Sequence, residues 1–234
     1  MNIVDLTRPM THQTLIDLGG RRADGEWMVK DIDVTWLRDW ERGDNGAQCQ
    51  WYMSDHFGTH VDAPVHVVQG GSSVDQLDLN RMLGEAVVLD CSFANGRGLS
   101  RVDFEVVGSD VRPGDIVLIY SAERPGKPDR YVTDQTYVTA EGAEWLVEKG
   151  VAAVGVEPSG FENVYQRVIV DRCYSAHVTD PWPAHRICLS HNVYIIEGLT
   201  NLAALAGRRV NFVALPLPVP KSSGSPVRAV AWWR

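Results

Sequence analysis

The chain has no run of about 18 or more apolar residues, so no membrane-crossing helix is expected. Its opening residues, Met-Asn-Ile-Val-Asp-Leu, lack a basic stretch followed by an apolar one, which argues against a secretory signal. Positive charge is scarce. The 22 Lys and Arg face 30 Asp and Glu, for a net charge of −8, and this balance argues against nucleic acid or an anionic membrane as the main partner. Cysteine is scarce too: Cys49, Cys91, Cys173 and Cys188 form no C-x-x-C pair, so a thiolate zinc site is not suggested, and they are too few for a disulfide framework. Cys91 closes the apolar run Ala86–Cys91 and reads as a buried reduced thiol, so a cytoplasmic location is expected. There is no G-x-G-x-x-G after a strand and no phosphate-binding G-x-x-x-x-G-K-[ST]. There is no G-x-S-x-G elbow either; Ser159 does not stand in one, so a covalent acyl-enzyme is not suggested.

At 234 residues and 44% hydrophobic composition the chain fits one domain with a sizeable core. Strand-like runs fall at 2–6, 85–91, 115–120, 151–157, 192–197, 209–216 and 226–233. Helices are fewer. Ser100-x-x-Asp103 is a capping-box pattern, Thr139 to Lys149 carries an apolar stripe that stops at Gly150, and 199–206 reads as a short apolar helix. Residues 35–42 read as a short helix with Trp36 and Trp40 on one face, and 7–26 as a long polar loop. The mixture is strand-rich α/β with too few helices for a regular parallel wrap.

What the chain does have is concentrated at residues 56–66, His-Phe-Gly-Thr-His-Val-Asp-Ala-Pro-Val-His, which hold three of its seven histidines. Neutral imidazole and carboxylate are the ligands of zinc and similar divalent ions. Gly58, Thr59 and Pro64 argue against a helix here. In an extended segment His56, His60, Asp62 and His66 share parity and face one side, with His66 beyond the bend at Pro64. His56, His60 and Asp62 would leave a coordination position open, the layout of a catalytic site. His66 is then a fourth ligand or a general acid/base. Glu197, ending an apolar strand, must be exposed, paired or on a metal. His185 is a second distal candidate and His191 a competitor. His12 and His177 read as solvated, and Glu162, Asp171 and Asp180 as surface or turn residues. Arg228 suits either orienting a substrate carboxylate or bridging an ion pair, and the structural role is favoured. Trp27, Trp36, Trp40, Trp51 and Tyr52 suit a core, a dimer interface or a flat pocket wall, and Trp182 is read as loop-borne.

The segment closely resembles the H-x-G-T-H-x-D-x-x-x-H signature of the cyclase family of metal-dependent hydrolases, which includes kynurenine formamidases, isatin hydrolases and lactone hydrolases. Val154–Ser159, His185, Glu197 in Ile195–Leu202, Ala214–Leu217 and Gly224–Arg228 resemble later family elements in the same order. The resemblance implies a swivelling β/β/α fold with mixed sheets and a dimer or higher homo-oligomer whose sites draw on both chains. It implies one or two divalent ions, zinc or manganese. His56, His60 and Asp62 would hold the first; Asp62 would bridge to a second held by His185 and Glu197; His66 would be the catalytic acid/base. The implied reaction is hydrolysis of an amide, formamide, cyclic amide or lactone acyl bond in a small aromatic or cyclic molecule. Alternatives are an N-formylkynurenine formamidase specifically, a metal-dependent lyase or dehydratase, or a non-catalytic metal binder. The formamidases' W-P-G-D element is absent. A stretch around residues 20–50 stands in its place and is expected to shape the pocket.

Overall fold

The computed structural model describes residues 1–11, 32–122, 135–158, 160–162 and 182–234. His12, Trp27, Ser159, Asp171, Cys173, His177 and Asp180, with most of the 7–26 loop, lie outside the described residues.

The main sheet is assembled from both ends of the chain. Its strands are β1 (Asn2–Asp5), β4 (His60–Asp62), β5 (Leu83–Asp90), β7 (Ile116–Tyr120), β9 (Ala153–Val156), β10 (Tyr194–Glu197), β11 (Arg209–Pro216) and β12 (Gly224–Trp233), in the order β1-β12-β11-β5-β7-β9-β10-β4. β4 also pairs with β12, so seven strands close on themselves. Residues 224–226 of β12 meet β4, and residues 230–233 of the same edge meet β1. The neighbours β5, β7, β9 and β10 run parallel; the remaining pairings are antiparallel. Two short pairings lie outside this sheet: β2 (Asp33–Arg38) with β3 (Gln48–Tyr52), and β6 (Gly98–Leu99) with β8 (Tyr137–Val138).

Strand alternation divides the core in two. Ala86, Val88, Ile116, Leu118, Ala153, Ile196, Val61 and Phe212 fill the inside of the closed sheet. Val87, Leu89, Val117, Ile119, Val154, Val156 and Ile195 face outward. They are covered by helices α1 (Arg101–Val107), α2 (Ala140–Glu148) and α3 (Pro183–Ser190), which contribute Phe104, Trp145, Leu146, Ala184 and Leu189. Being buried on both faces is why the parallel strands read as unbroken apolar runs such as Ile116–Ile119. The Ser100/Asp103 capping box opens α1, and the Thr139 side chain accepts from Gly142 to open α2. Cys91 is buried, and burial pushes its thiol up to about 12.

Two expectations are corrected. Residues 35–42 are not a helix: 33–38 are a strand whose ladder partner is Gln48–Tyr52, and Asp39 then caps a 3-10 turn at Trp40–Arg42. The four-residue spacing of Trp36 and Trp40 suits a helix, but β-branched Val34 and Thr35 and an available second strand win. Residues 199–206 give only a 3-10 turn at Leu202–Leu205, because Asn201 is left-handed at φ 61°. Trp182 lies outside the helix as its N-cap, with Pro183 pre-set for the first helical position of α3.

Phe212 is fully buried inside the closed sheet, whereas Leu217 is exposed. Phe212→Ala is expected to cost about 3–5 kcal/mol and Leu217→Ala under about 0.5 kcal/mol, read from urea unfolding midpoints. Equal midpoint shifts for the two would contradict an apolar interior.

Candidate metal centre

β4 is only three residues long, and its alternation sends Val61 into the interior while His60 and Asp62 turn to the outer face. β10 lies antiparallel beside it, with Glu197 directly across from His60 and Ile195 across from Asp62. Glu197 shares the parity of outward-facing Ile195, so its carboxylate arrives on the same face. α3 lies over this face and brings down His185. His60, Asp62, His185 and Glu197 are all buried.

His56 and His66 reach the cluster differently from the parity argument. Only residues 60–62 are strand. His56 stands in the turn before it, where Gly58 is at φ 70°, and His66 ends the 3-10 turn Pro64–His66. Gly224, in register with Asp62, leaves room for the His56 ring: a Cβ there would stand 2.8 Å from it. The six residues singled out by sequence are therefore brought together, His60 and Asp62 by alternation and the others by turns and tertiary contacts.

Asp62 is the hub. Its Oδ1 lies 2.8 Å from His56 Nδ1 and 3.4 Å from His60 Nε2, and its Oδ2 lies 3.4 Å from His185 Nε2. Glu197 stands 3.2 Å from His185 Nε2 and 3.6 Å from His60 Nε2. Each of these three rings is held by its other nitrogen. His56 Nε2 is 2.9 Å from Ser223 Oγ, which also donates to Asp55 at 2.9 Å. His60 Nδ1 is 2.9 Å from the Gly58 carbonyl, and His185 Nδ1 is 2.8 Å from Glu162. A carbonyl or carboxylate partner makes the tethered nitrogen of His60 and His185 the donor. In the neutral ring this leaves the lone pair of Nε2 aimed at the carboxylates.

Asp62 Oδ1 nevertheless meets no aligned donor and is a buried acceptor without a hydrogen bond. Such an orphan is costly in a finished core. Imidazole nitrogens and carboxylate oxygens converging without N–H alignment are the donor set of a divalent cation, and the residues fit one. Two three-residue sets have ligand atoms within 4.8 Å of one another: His56, Asp62 and His66; and His60, Asp62 and Glu197.

The protonation of the cluster follows from its charges. Burial works against the His60 cation, but Asp62 and Glu197 outweigh it and raise the group to about 9. Burial likewise opposes the His185 cation, and Asp62, Glu162 and Glu197 raise it well above the ordinary histidine value. Asp62 is held well below the usual carboxylate range against its own burial by His56, His185 and His60. His66 goes the other way: burial lowers it, and the His56 and His185 rings add to this against the pull of Asp62 and Glu197. Its ring lies 4.3 Å from that of His56, 5.8 Å from His185 and 6.1 Å from Trp182.

Glu162 corrects the sequence reading. It is no surface residue; it is buried, and its second oxygen accepts from the backbone of Ala184 at the start of α3. No local pattern announces this, because its partner lies 23 residues away. Ser223 and Asp55 were also missed. His191 stays outside the cluster, exposed at the end of α3 with Nδ1 2.8 Å from the Ile187 carbonyl. Arg228 forms an exposed ion pair with Asp5 at 2.6 Å, the structural role expected of it. Glu157 is buried but faces Ser121, whose backbone N–H donates to it at 2.9 Å.

A cation must displace the proton that the cluster holds in its absence. For the metal-free protein, a folded-state value of about 9 against the ordinary 6.5 means that the stability supplied by charged His60 is fully present below 6.5 and is lost as pH rises through about 9. Zinc affinity should run oppositely, rising about tenfold per pH unit for each proton released between about pH 6 and pH 8. Isothermal titration in buffers of different ionisation heat measures both affinity and proton release; affinity independent of pH would refute this cluster as the site.

Comparison with known proteins gives three findings. Residues 4–163 match the sequence model described as "Putative cyclase". The chain is 28% identical over 179 residues to the kynurenine formamidase of Bacillus cereus, spanning 76% of each chain, and 27% identical over the same length to that of Bacillus anthracis. In structure it resembles an isatin hydrolase bound to the product analogue thioisatinate, with TM-score 0.82, 21% identity and coverage of 98% of this chain and 91% of that one. Isatin hydrolase A of Ralstonia solanacearum follows at TM-score 0.79, 24% identity and the same coverage. The mixed closed sheet with few helices is the architecture of these neighbours.

Proposed function

This chain belongs to the Cyclase family, and from that premise we propose that it is a metal-dependent hydrolase cleaving the acyl bond of an amide, formamide, cyclic amide or lactone. The observation that carries the reading is Asp62, a buried carboxylate with one unsatisfied oxygen ringed by three imidazoles whose outer nitrogens are tethered. His56, His60 and Asp62 would hold one divalent cation, zinc or manganese, and Asp62, His185 and Glu197 would hold a second. A cation held by such ligands supplies Lewis acidity toward an acyl oxygen and makes water acidic enough to act as a nucleophile near neutral pH.

The chain's own groups do the rest. His60, Asp62, His185 and Glu197 are buried, so the site's polar groups work in a medium that strengthens their interactions. His66 is the acid/base. Its depressed value leaves it neutral near pH 7, and its ring stands beside the cluster, 4.3 Å from that of His56. It takes a proton from the attacking water and returns it to the leaving nitrogen or oxygen as the acyl bond breaks. One water is consumed; a carboxylate and an amine or alcohol are formed, joined in one molecule when the substrate is cyclic.

The relatives' names point to two substrates with one shared feature, an acyl group on a nitrogen attached to an aromatic ring. We therefore place a small aromatic N-acyl compound first. The rings of His66 and Trp182, 6.1 Å apart beside the cluster, support this choice. The whole chain is taken as one domain, with residues around 20–50 shaping the pocket. The hairpin β2–β3 exposes Val34, Trp36, Trp51 and Tyr52, which supports burial against a second copy in a homodimer. The free thiols of Cys91 and Cys188 support a reducing, cytoplasmic compartment; no helix among the described residues is long and apolar enough to cross a membrane.

The test is a panel of aryl formamides, isatin and lactones run in oxygen-18 water. Incorporation of label into the carboxylate, lost on chelation and regained with zinc or manganese, is the expected outcome. Product without label would indicate a lyase, and bound cation without turnover a non-catalytic relative. His66→Ala should lower kcat about 10²- to 10⁴-fold while leaving cation content unchanged; full activity in that variant would remove His66 from the proton transfer.

A further inference from the structure

We propose that Glu162 is a positioning residue of the cation site, fixing the His185 ring so that Nε2 faces Asp62 and Glu197. The assignment rests on the reading of the cluster as a cation site.

Three observations support it. First, both Glu162 oxygens are committed: Oε2 stands 2.8 Å from His185 Nδ1, and Oε1 accepts from the Ala184 backbone at the start of α3. The helix is thus anchored and its first-turn side chain His185 aimed by one carboxylate, whose side chain is only 7% exposed. Second, the preceding residue does the matching task for the other ligand. The Phe161 backbone N–H donates to Glu197 Oε1 at 2.7 Å, and the Phe161 ring packs edge-on against His185 with centroids 5.5 Å apart. Two adjacent residues therefore align one ligand from α3 and one from β10, elements that do not set each other's register. Third, charge distinguishes this tether. His60 is held by a backbone carbonyl and His56 by a hydroxyl, whereas His185 is held by a carboxylate. A charged acceptor makes the stronger hydrogen bond and raises the basicity of the opposite nitrogen. It also leaves three buried carboxylates, Asp62, Glu162 and Glu197, around one imidazole, a surplus of negative charge that a cation at Nε2 offsets.

A purely structural role would be to cap α3, so the test must separate the two. In Glu162→Gln the amide oxygen can still accept from Ala184, preserving the helix start, while the amide NH₂ turned to Nδ1 drives the ring proton onto Nε2, where it competes with the cation. Glu162→Asp keeps the charge and withdraws it by one methylene. Cobalt(II) serves as the probe, with stoichiometry from equilibrium dialysis and ligand geometry from visible absorption, on the full chain. Glu162→Gln is expected to weaken one of the two cobalt sites about 10- to 100-fold, change its absorption band and leave the other site as in the wild type; Glu162→Asp should fall between. In Glu162→Gln/His185→Ala the cobalt affinities should equal those of His185→Ala alone, because Glu162 acts through that ring. Unchanged cobalt binding in both single variants, or a full additional loss in the double variant, would overturn the proposal. If the wild type takes up no cobalt, or His185→Ala keeps both ions, the cation reading itself fails and this assignment with it.

Discussion

The short strand β4 carries two obligations at once. It closes the sheet by pairing with β10 on one side and β12 on the other, and its alternation puts Val61 in the interior and His60 and Asp62 outside. A slip of one residue in either pairing would bury the ligands among apolar side chains and turn the valine to the site. Closure therefore positions the chemistry. Glu197 is opposite His60 because the ladder requires it, and His56 fits because the register position beside Asp62 is a glycine, Gly224.

Around this seam the charges are arranged in layers. Asp62 and Glu197 sit innermost, the imidazoles next, and their outer nitrogens are met by Gly58, Ser223 and Glu162. The carboxylates raise His60 and His185 against their burial, whereas burial and the neighbouring His56 and His185 rings lower His66. His60, His185 and His66 thus differ in protonation through their neighbours rather than through any intrinsic difference.

Much of the fold could be read in advance. β5, β7, β9, β10, β11 and β12 are runs of β-branched and apolar residues between turns, and burial on two faces leaves that mark whatever the partner strand. The caps of α1 and α2 are similarly local. The hairpin at 33–52 was misread because a strand and a short helix compete on nearly equal local terms there, and pairing decides. α3 was overlooked because its residues carry few propensity cues apart from Pro183.

The His-x-x-x-His-x-Asp-x-x-x-His spacing by itself determined that this protein concentrates imidazole and carboxylate ligands in one short segment, since ligand type and density are properties of composition along the chain. Only the tertiary structure decided which face of β4 they occupy, that His185 and Glu197 join them from other elements, and that Glu162 stands behind His185 rather than at the surface. The physical reason is that a metal site requires several ligand atoms within a few ångströms of one point. Residues separated by more than 100 positions reach that point only through strand register and helix packing, neither of which is encoded in any one segment.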